Sequence, residues 1–168
     1  FQTKYRSAHA GPKELGCTPY FYNWLHDADL NGAGAYMDYC CYGAALARAF
    51  LGQPSRVTGT IGHCLKDYIT LDDNAVLVMQ WPRAIAISEA SWTQIGHLTS
   101  YHAAIYGSEG TLVIEPRNTG RLLLANAAHD DGIVIDVPPL PEEQRNASNY
   151  FLSRISQGLP IEGLCSAE

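Results

Sequence analysis

The hydrophobic pattern of the chain changes from a weak alternation to a helical period within its first third. Residues 2–8 alternate between polar and apolar side chains, which predicts a strand. Residues 9–19 are rich in glycine and proline and predict a loop, followed by an aromatic cluster over 20–25 and a polar turn over 26–31. From Gly34 to Leu51 the apolar positions recur at helical spacing. Gly52 and Pro54 follow as stop signals, so this segment is a predicted helix.

Beyond Pro54 a period of two dominates. It predicts strands over 56–64, 75–81, 84–92, 101–106, 111–115, 121–124 and 132–137, and a last helix over 141–157. The short turns between neighbouring strands favour antiparallel pairing. We therefore expect an α+β fold with a predominantly antiparallel, open-faced sheet and helices packed on one face. The opposite face then needs cover by another subunit or another domain, and we predict a homo-oligomer that forms through it.

Composition narrows the classes of partner. The 168 residues, 46% hydrophobic and 17% charged, predict one globular domain over 1–168. A net charge of −6 without a basic run argues against nucleic acid as a partner. No apolar run approaches the roughly 20 residues of a membrane helix, so no membrane partner is expected. The first residues lack both a methionine and a signal peptide, and we expect the chain to be a piece of a longer protein.

The cysteine and histidine spacings predict no metal site. The five cysteines form no C-x-x-C pair, which argues against a zinc site and a disulfide framework and favours reduced thiols in the cytoplasm. For five of the six histidines, the spacing is not ligand-like and predicts no metal binding. These residues are Cys17, Cys40, Cys41, Cys64, Cys165, His9, His26, His63, His97 and His129.

Candidate chemistry lies in the segment Gly32–Gly52, GAGAYMDYCCYGAALARAFLG. Its start nearly matches the dinucleotide pattern G-x-G-x-x-G, but Met37 replaces the third glycine and no strand precedes it, so we expect no cofactor-binding residue in this chain. Asp38 and Tyr42 are four residues apart and would share one side of a helix, with Asp38 in the first turn. Such a pair could move a proton to or from a carbonyl oxygen. The spacing alone also allows Asp38 to cap the helix and Tyr42 to pack.

This segment resembles the C-terminal domain of the glucose–fructose oxidoreductase/inositol dehydrogenase (Gfo/Idh/MocA) family, whose pattern there is GGGAL-x-D-x-G-x-[HY] before a helix that ends in LG. The stretches SEASW over 88–92 and IYGSEGTL over 105–112 are similar to later family motifs, in the same order. Three features depart from the family: Cys40 replaces a glycine, Tyr42 stands where histidine is an alternative, and no E-K-P motif is present. The resemblance implies the glucose–fructose oxidoreductase/dihydrodipicolinate reductase-like C-terminal fold.

The resemblance also implies an activity and a set of site residues. It implies an NAD(P)-dependent oxidoreductase that transfers hydride between nicotinamide and a sugar, polyol or related hydroxy compound. NAD or NADP would be bound mainly by an N-terminal Rossmann domain that this chain lacks, so the isolated domain is expected to be inactive. Asp38 would orient or polarise the reacting groups, and Tyr42 would exchange the proton of the substrate hydroxyl. The expected substrate-binding residues are Asn23, Trp24, Tyr39, Tyr101 and His102, with Tyr101 and His102 pointing to opposite sides of a strand.

Two other functions remain open at this point. The chain could be a non-catalytic binding or oligomerisation module in which Asp38 and Tyr42 are relics. It could also be an unrelated hydrolase that uses Asp38 with a histidine, although no G-x-S-x-G nucleophile motif is present. A Rossmann domain with an E-K-P motif directly upstream would favour the oxidoreductase.

Overall fold

The computed structural model describes residues 1–98, 100–115 and 120–163. The chain divides into two compact units, Phe1–Ile135 and Asp136–Glu168. Cys165 lies outside the described residues. The strands are β1 (Gln2–Ala8), β2 (Arg56–Gly62), β3 (Asn74–Trp81), β4 (Ala84–Ser91), β5 (Tyr101–Tyr106), β6 (Gly110–Ile114), β7 (Leu122–Asn126) and β8 (His129–Ile135). The α-helices are α1 (Pro19–Leu25), α2 (Ala28–Asn31), α3 (Cys41–Leu51) and α4 (Ala147–Gln157).

One sheet of the larger unit has the strand order β2-β3-β4-β1-β5-β6-β7-β8. Every neighbouring pair is antiparallel except β1 and β4, which run parallel in a register that pairs Ala8 with Ser91. The prediction of a predominantly antiparallel sheet is therefore confirmed. The parallel pair has a local consequence, because the carboxyl ends of β1 and β4 lie side by side.

Within the unit Phe1–Ile135, the core lies between the sheet and helix α3 with the residues that precede it, on one face of the sheet. Burial alternates along β3 and β4, so that Leu77 and Met79 face the helices. Helix α3 approaches the sheet closely at Gly43, where an added Cβ would collide with the Ser88 hydroxyl. The predicted α+β class with helices on one face is confirmed in this arrangement.

The opposite face of the sheet carries apolar side chains that are exposed to solvent. Val76 and Ile85 on β3 and β4 are exposed there. Arg6 and Glu89 form a 3.0 Å ion pair on the same face, and both are partly solvent-accessible, so it contributes about 0–1 kcal/mol. Within the described ranges, no helix combines the length and the apolar character needed to cross a membrane.

Several predicted boundaries differ from the structure. The helix predicted from Gly34 is π-helical over Tyr36–Cys40 and α-helical over Cys41–Leu51. The last helix begins at Ala147 rather than at residue 141, because the side chain of Asn146 caps it by accepting a hydrogen bond from the Asn149 amide. The aromatic cluster over 20–25 belongs to α1, and β8 begins at His129 rather than at residue 132.

Candidate functional site

The entrance to the Gly32–Gly52 segment is held by Asp72. One carboxylate oxygen of Asp72 accepts a hydrogen bond from the Gly34 amide at 2.8 Å, and the other accepts one from the Tyr36 amide at 2.7 Å. The Ala35 amide donates to the Asp72 carbonyl at 3.0 Å. At Gly34 an added Cβ would collide with that carbonyl, so the close approach requires glycine. These amides are already bonded, and the segment does not fit the pyrophosphate of a dinucleotide.

Asp38 lies in the π-helical turn and meets two residues from the ends of strands. Its Oδ2 accepts a hydrogen bond from the Trp92 indole at 2.8 Å and lies 3.8 Å from His9 Nε2. His9 and Trp92 directly follow β1 and β4, so the parallel pairing of these strands places them side by side. Asp38 therefore does not act as a helix cap: its carboxylate faces Trp92 and His9, and Asp72 binds the amides at the start of the segment.

The ring of His9 has a defined orientation. Its Nδ1 accepts a hydrogen bond from the Gly11 amide at 2.8 Å, so in the neutral ring the proton is on Nε2, the atom nearest Asp38. Burial lowers the pKa of His9, although the negative charge of Asp38 acts in the opposite direction. The edge of the ring packs against Tyr39, with centroids 5.2 Å apart. In its neutral form, His9 thus presents its Nε2–H group towards the Asp38 carboxylate.

Tyrosine rings extend the cluster away from His9. The Tyr42 ring lies 6.4 Å from Tyr39 and 6.3 Å from Tyr5, and Tyr5 meets Tyr101 edge-on at 5.7 Å. Tyr42 is 56% exposed, so a ligand can reach its side chain. The structure therefore brings Tyr39, Tyr42 and Tyr101 of the predicted site into one aromatic group beside His9 and Asp38.

The other predicted site residues lie on α1 and β5. Asn23 and Trp24 are exposed on α1, where Trp24 packs on Phe21 at 6.0 Å. In the described part of the chain, no hydrogen bond or ring contact joins either of them to Asp38 or Tyr42. His102 pairs with Arg6 across β1 and β5, and it lines a cavity with Arg6 and Glu89 that Tyr5 and Tyr101 also line. The roles of all these residues stay predictions.

A cluster of charged residues supports the loop after His9. The buried Lys66 ammonium forms a 2.7 Å ion pair with Glu14, which also accepts a hydrogen bond from the Tyr68 hydroxyl at 2.7 Å. Lys66 belongs to a loop whose backbone is bound by Asp73. The Asp73 carboxylate accepts the amides of residues 64, 65 and 66 at 2.8, 2.7 and 2.9 Å. Burial of Asp73 favours the neutral acid, but these hydrogen bonds outweigh it and lower its pKa to about 2.

The sequence interpretation missed His9 and Trp92. The histidine spacing gives His9 no role, and Trp92 stands out in the sequence only as part of the motif SEASW. The available signal was that a polar side chain comes directly after a predicted strand, where sites often form.

Near Trp92, the Nε2 atom of His26 is buried and has no hydrogen-bond partner among the described residues. Among all the residues that the structure describes, no three His, Cys, Asp or Glu side chains lie close enough together to hold a metal ion.

Solved structures with a similar fold are oxidoreductases. Levoglucosan dehydrogenase in complex with NADH and levoglucosan is 17% identical, with a TM-score of 0.76 over 96% of this chain and 50% of that one. An oxidoreductase from Agrobacterium radiobacter in complex with NAD+, L-tartaric acid and magnesium is 17% identical, with a TM-score of 0.70 over 97% of this chain and 48% of that one. An inositol dehydrogenase homolog from Azotobacter vinelandii, complexed with NAD+, is 19% identical, with a TM-score of 0.67 over 80% and 36%. The chain thus spans half or less of each, and identities this low show a shared fold.

Comparisons of the amino-acid sequence give a more specific result than the comparisons of the fold. No curated protein matches the chain by sequence. The family model described as the GFO/IDH/MocA C-terminal domain matches residues 2–113. That match includes β1, the π-helical turn with Asp38, helix α3 and the strands through most of β6. The chain therefore belongs to the GFO/IDH/MocA C-terminal domain family.

Proposed function

We propose that this chain is the substrate-side domain of an NAD(P)-dependent oxidoreductase that acts on the CH–OH group of a sugar, polyol or related hydroxy compound. The observation that carries the proposal is the group formed by Asp38, His9, Tyr39 and Tyr42. It combines a carboxylate, an imidazole and two phenols beside the ends of β1 and β4. Such side chains both bind hydroxyl groups and move protons.

Asp38 and Tyr42 have different roles in this proposal. The Trp92 indole fixes the Asp38 carboxylate, which orients the substrate by accepting a hydrogen bond from one of its hydroxyl groups. The accessible phenol of Tyr42 takes up or returns the proton of the reacting oxygen. A positioned acid–base group of this kind contributes about 10²–10⁴-fold to a rate. Tyr39 and Tyr101 belong to the same aromatic group and contact the substrate in this proposal, and Asn23, Trp24 and His102 remain further candidates.

The nicotinamide nucleotide belongs to another part of the protein in this proposal. The amides of Gly34 and Tyr36 are bonded to Asp72 and are not available to a pyrophosphate. An N-terminal Rossmann domain of the same protein would bind NAD or NADP, as the nucleotide complexes among the fold relatives suggest. The chain alone is therefore expected to lack dehydrogenase activity.

The test is a substrate screen on the longer protein that contains this chain. Levoglucosan, L-sorbose, inositol and L-tartrate, named from the fold relatives, are offered with NAD+ and with NADP+, and nucleotide absorbance is followed. We expect turnover of at least one polyol or sugar, and none by the chain alone. If the longer protein neither binds a nicotinamide nucleotide nor turns over any hydroxy compound, the alternative of a non-catalytic module is favoured. Dehydrogenase activity of the isolated chain would contradict the division of the site.

We also propose that a second copy covers the open sheet face. The apolar side chains Val76 and Ile85 are exposed there on neighbouring strands, and water disfavours such a surface. Replacing Ile85 with glutamate should shift the protein to a smaller oligomer in light scattering. Ile95→Glu, on a loop where Ile95 is 94% exposed, is the matched control and should leave the mass unchanged. A monomeric wild-type protein would overturn this assignment.

The cytoplasm is the proposed compartment. Cys17, Cys40, Cys41 and Cys64 are free thiols. Free thiols suit a reducing compartment, in which disulfides are rare.

A further inference from the structure

We infer that His9 and Asp38 together bind one hydroxyl group of the substrate, with the hydroxyl oxygen accepting from His9 Nε2–H and its proton donated to Asp38 Oδ2. This rests on the proposed function and assigns a specificity role to His9. The oxygen to which the pair binds is a second hydroxyl, next to the one that reacts at Tyr42. A substrate that lacks this neighbouring hydroxyl would lose both hydrogen bonds.

The distance between the two side chains supports a bridging oxygen. His9 Nε2 and Asp38 Oδ2 are 3.8 Å apart, which is too long for a direct hydrogen bond. At this separation, a ligand oxygen about 2.8 Å from each atom would complete both bonds. The two side chains are partly accessible, 18% for His9 and 25% for Asp38, so a ligand can approach from solvent.

The hydrogen-bond pattern defines which partner donates. The Gly11 amide occupies His9 Nδ1, so Nε2 carries the proton of the neutral ring and can only donate. Asp38 Oδ2 is held by the Trp92 indole and can only accept when ionised. A hydroxyl group both donates and accepts, and it satisfies this pair where a carboxylate or an ammonium group would satisfy only half of it.

The pair is held in place before a ligand arrives. The His9 amide donates to the Ser91 carbonyl at 3.0 Å, and the Gln94 amide donates to the His9 carbonyl at 3.1 Å. These bonds anchor the His9 backbone on the end of β4. The Tyr39 ring packs on the imidazole from one side. Preorganisation of this kind lowers the entropy lost on binding and raises affinity.

The test compares two substitutions at His9 in the longer, active protein. His9→Gln places an amide N–H near the position of Nε2 and should keep KM within about threefold of wild type. His9→Leu removes the donor and should raise KM about tenfold for the panel polyol with the highest kcat/KM, with kcat within about threefold. The exposed His129 on β8 supplies the control, and His129→Leu should change neither constant.

A deoxy analogue of the same polyol distinguishes binding from structural damage. With wild type, the analogue that lacks the bridging hydroxyl loses both hydrogen bonds, so its kcat/KM should fall by more than about tenfold. Introducing His9→Leu should lower kcat/KM for the analogue no further, because the bond to His9 is already absent. Equal losses from the analogue in both proteins would overturn the inference, as would a His9→Leu effect confined to kcat. A longer protein that oxidises no hydroxy compound would instead overturn the proposed function, which the wild-type assay reveals before any variant is made.

Discussion

Asp73 offers a prediction of stability that can be worked out from the structure. Its carboxylate is fully buried and accepts three backbone amides in the loop over 64–66. The difference between the ordinary pKa of 3.8 and the folded value of about 2 corresponds to about 2 kcal/mol of stability at neutral pH. Because the folded pKa is lowered, this stabilisation is present above an unfolded pKa of about 4 and is lost as the pH falls towards about 2.

The perturbation is Asp73→Asn. Asparagine keeps one acceptor oxygen but turns an amide N–H group towards backbone donors, so the hydrogen bonds made by one of the two carboxylate oxygens are lost. We expect the free energy of unfolding, measured by urea denaturation, to fall by about 2–3 kcal/mol at neutral pH. The difference in free energy of unfolding between wild type and Asp73→Asn should become smaller as the pH falls from about 4 towards about 2.

The control is Asp67→Asn, which removes an exposed carboxylate from the same loop. It should change stability by less than about 0.5 kcal/mol at any pH. The free energy of unfolding is plotted against pH for wild type and for Asp73→Asn. Parallel curves would refute the reasoning, because they would show that the Asp73 carboxylate has the same pKa in the folded and the unfolded chain.

Two further predictions concern packing. Gly34→Ala should destabilise the chain by about 1–3 kcal/mol in the same assay, because the added Cβ would collide with the Asp72 carbonyl. Unchanged stability would show that the backbone around Asp72 can move without a cost in free energy. Burial raises the pKa of the Cys40 thiol to about 11, so a thiol reagent at neutral pH should modify the exposed Cys64 in the folded chain and leave Cys40 unmodified until the chain unfolds, as mass mapping can check. Rapid labelling of Cys40 under native conditions would contradict the assigned packing.

The local patterns allowed most of the elements to be predicted. Alternation located the strands, and helical spacing located α3, because burial on one face leaves a periodic trace in the sequence. The same periodicity could not show the π-helical turn at Tyr36–Cys40, since one widened turn barely changes the order of apolar positions. It also could not show that Asn146 rather than Pro141 marks the start of α4, although the capping residue was available as a signal.

The site was harder to predict because it depends on a pairing between distant strands. Asp38 and Tyr42 were found from local spacing and family resemblance. His9 and Trp92 are far apart in sequence, and only the parallel register of β1 with β4 places both of them at the Asp38 carboxylate. A parallel pair in an otherwise antiparallel sheet leaves no local pattern in either strand. Strand alternation did predict that the side chains of Tyr101 and His102 point to opposite faces of the sheet. It could not show which of the two meets the Tyr5 ring.

The most direct measurement of the central claim is the steady-state rate of Tyr42→Phe in the longer protein. Phenylalanine keeps the ring packing against Tyr5 and Tyr39 and removes only the hydroxyl. If Tyr42 exchanges the proton of the reacting hydroxyl, kcat for nucleotide-dependent oxidation of the best polyol should fall about 10²–10⁴-fold. Tyr20→Phe, at a residue that is 92% exposed on α1, should leave it unchanged. A kcat of Tyr42→Phe within about threefold of wild type would contradict the account.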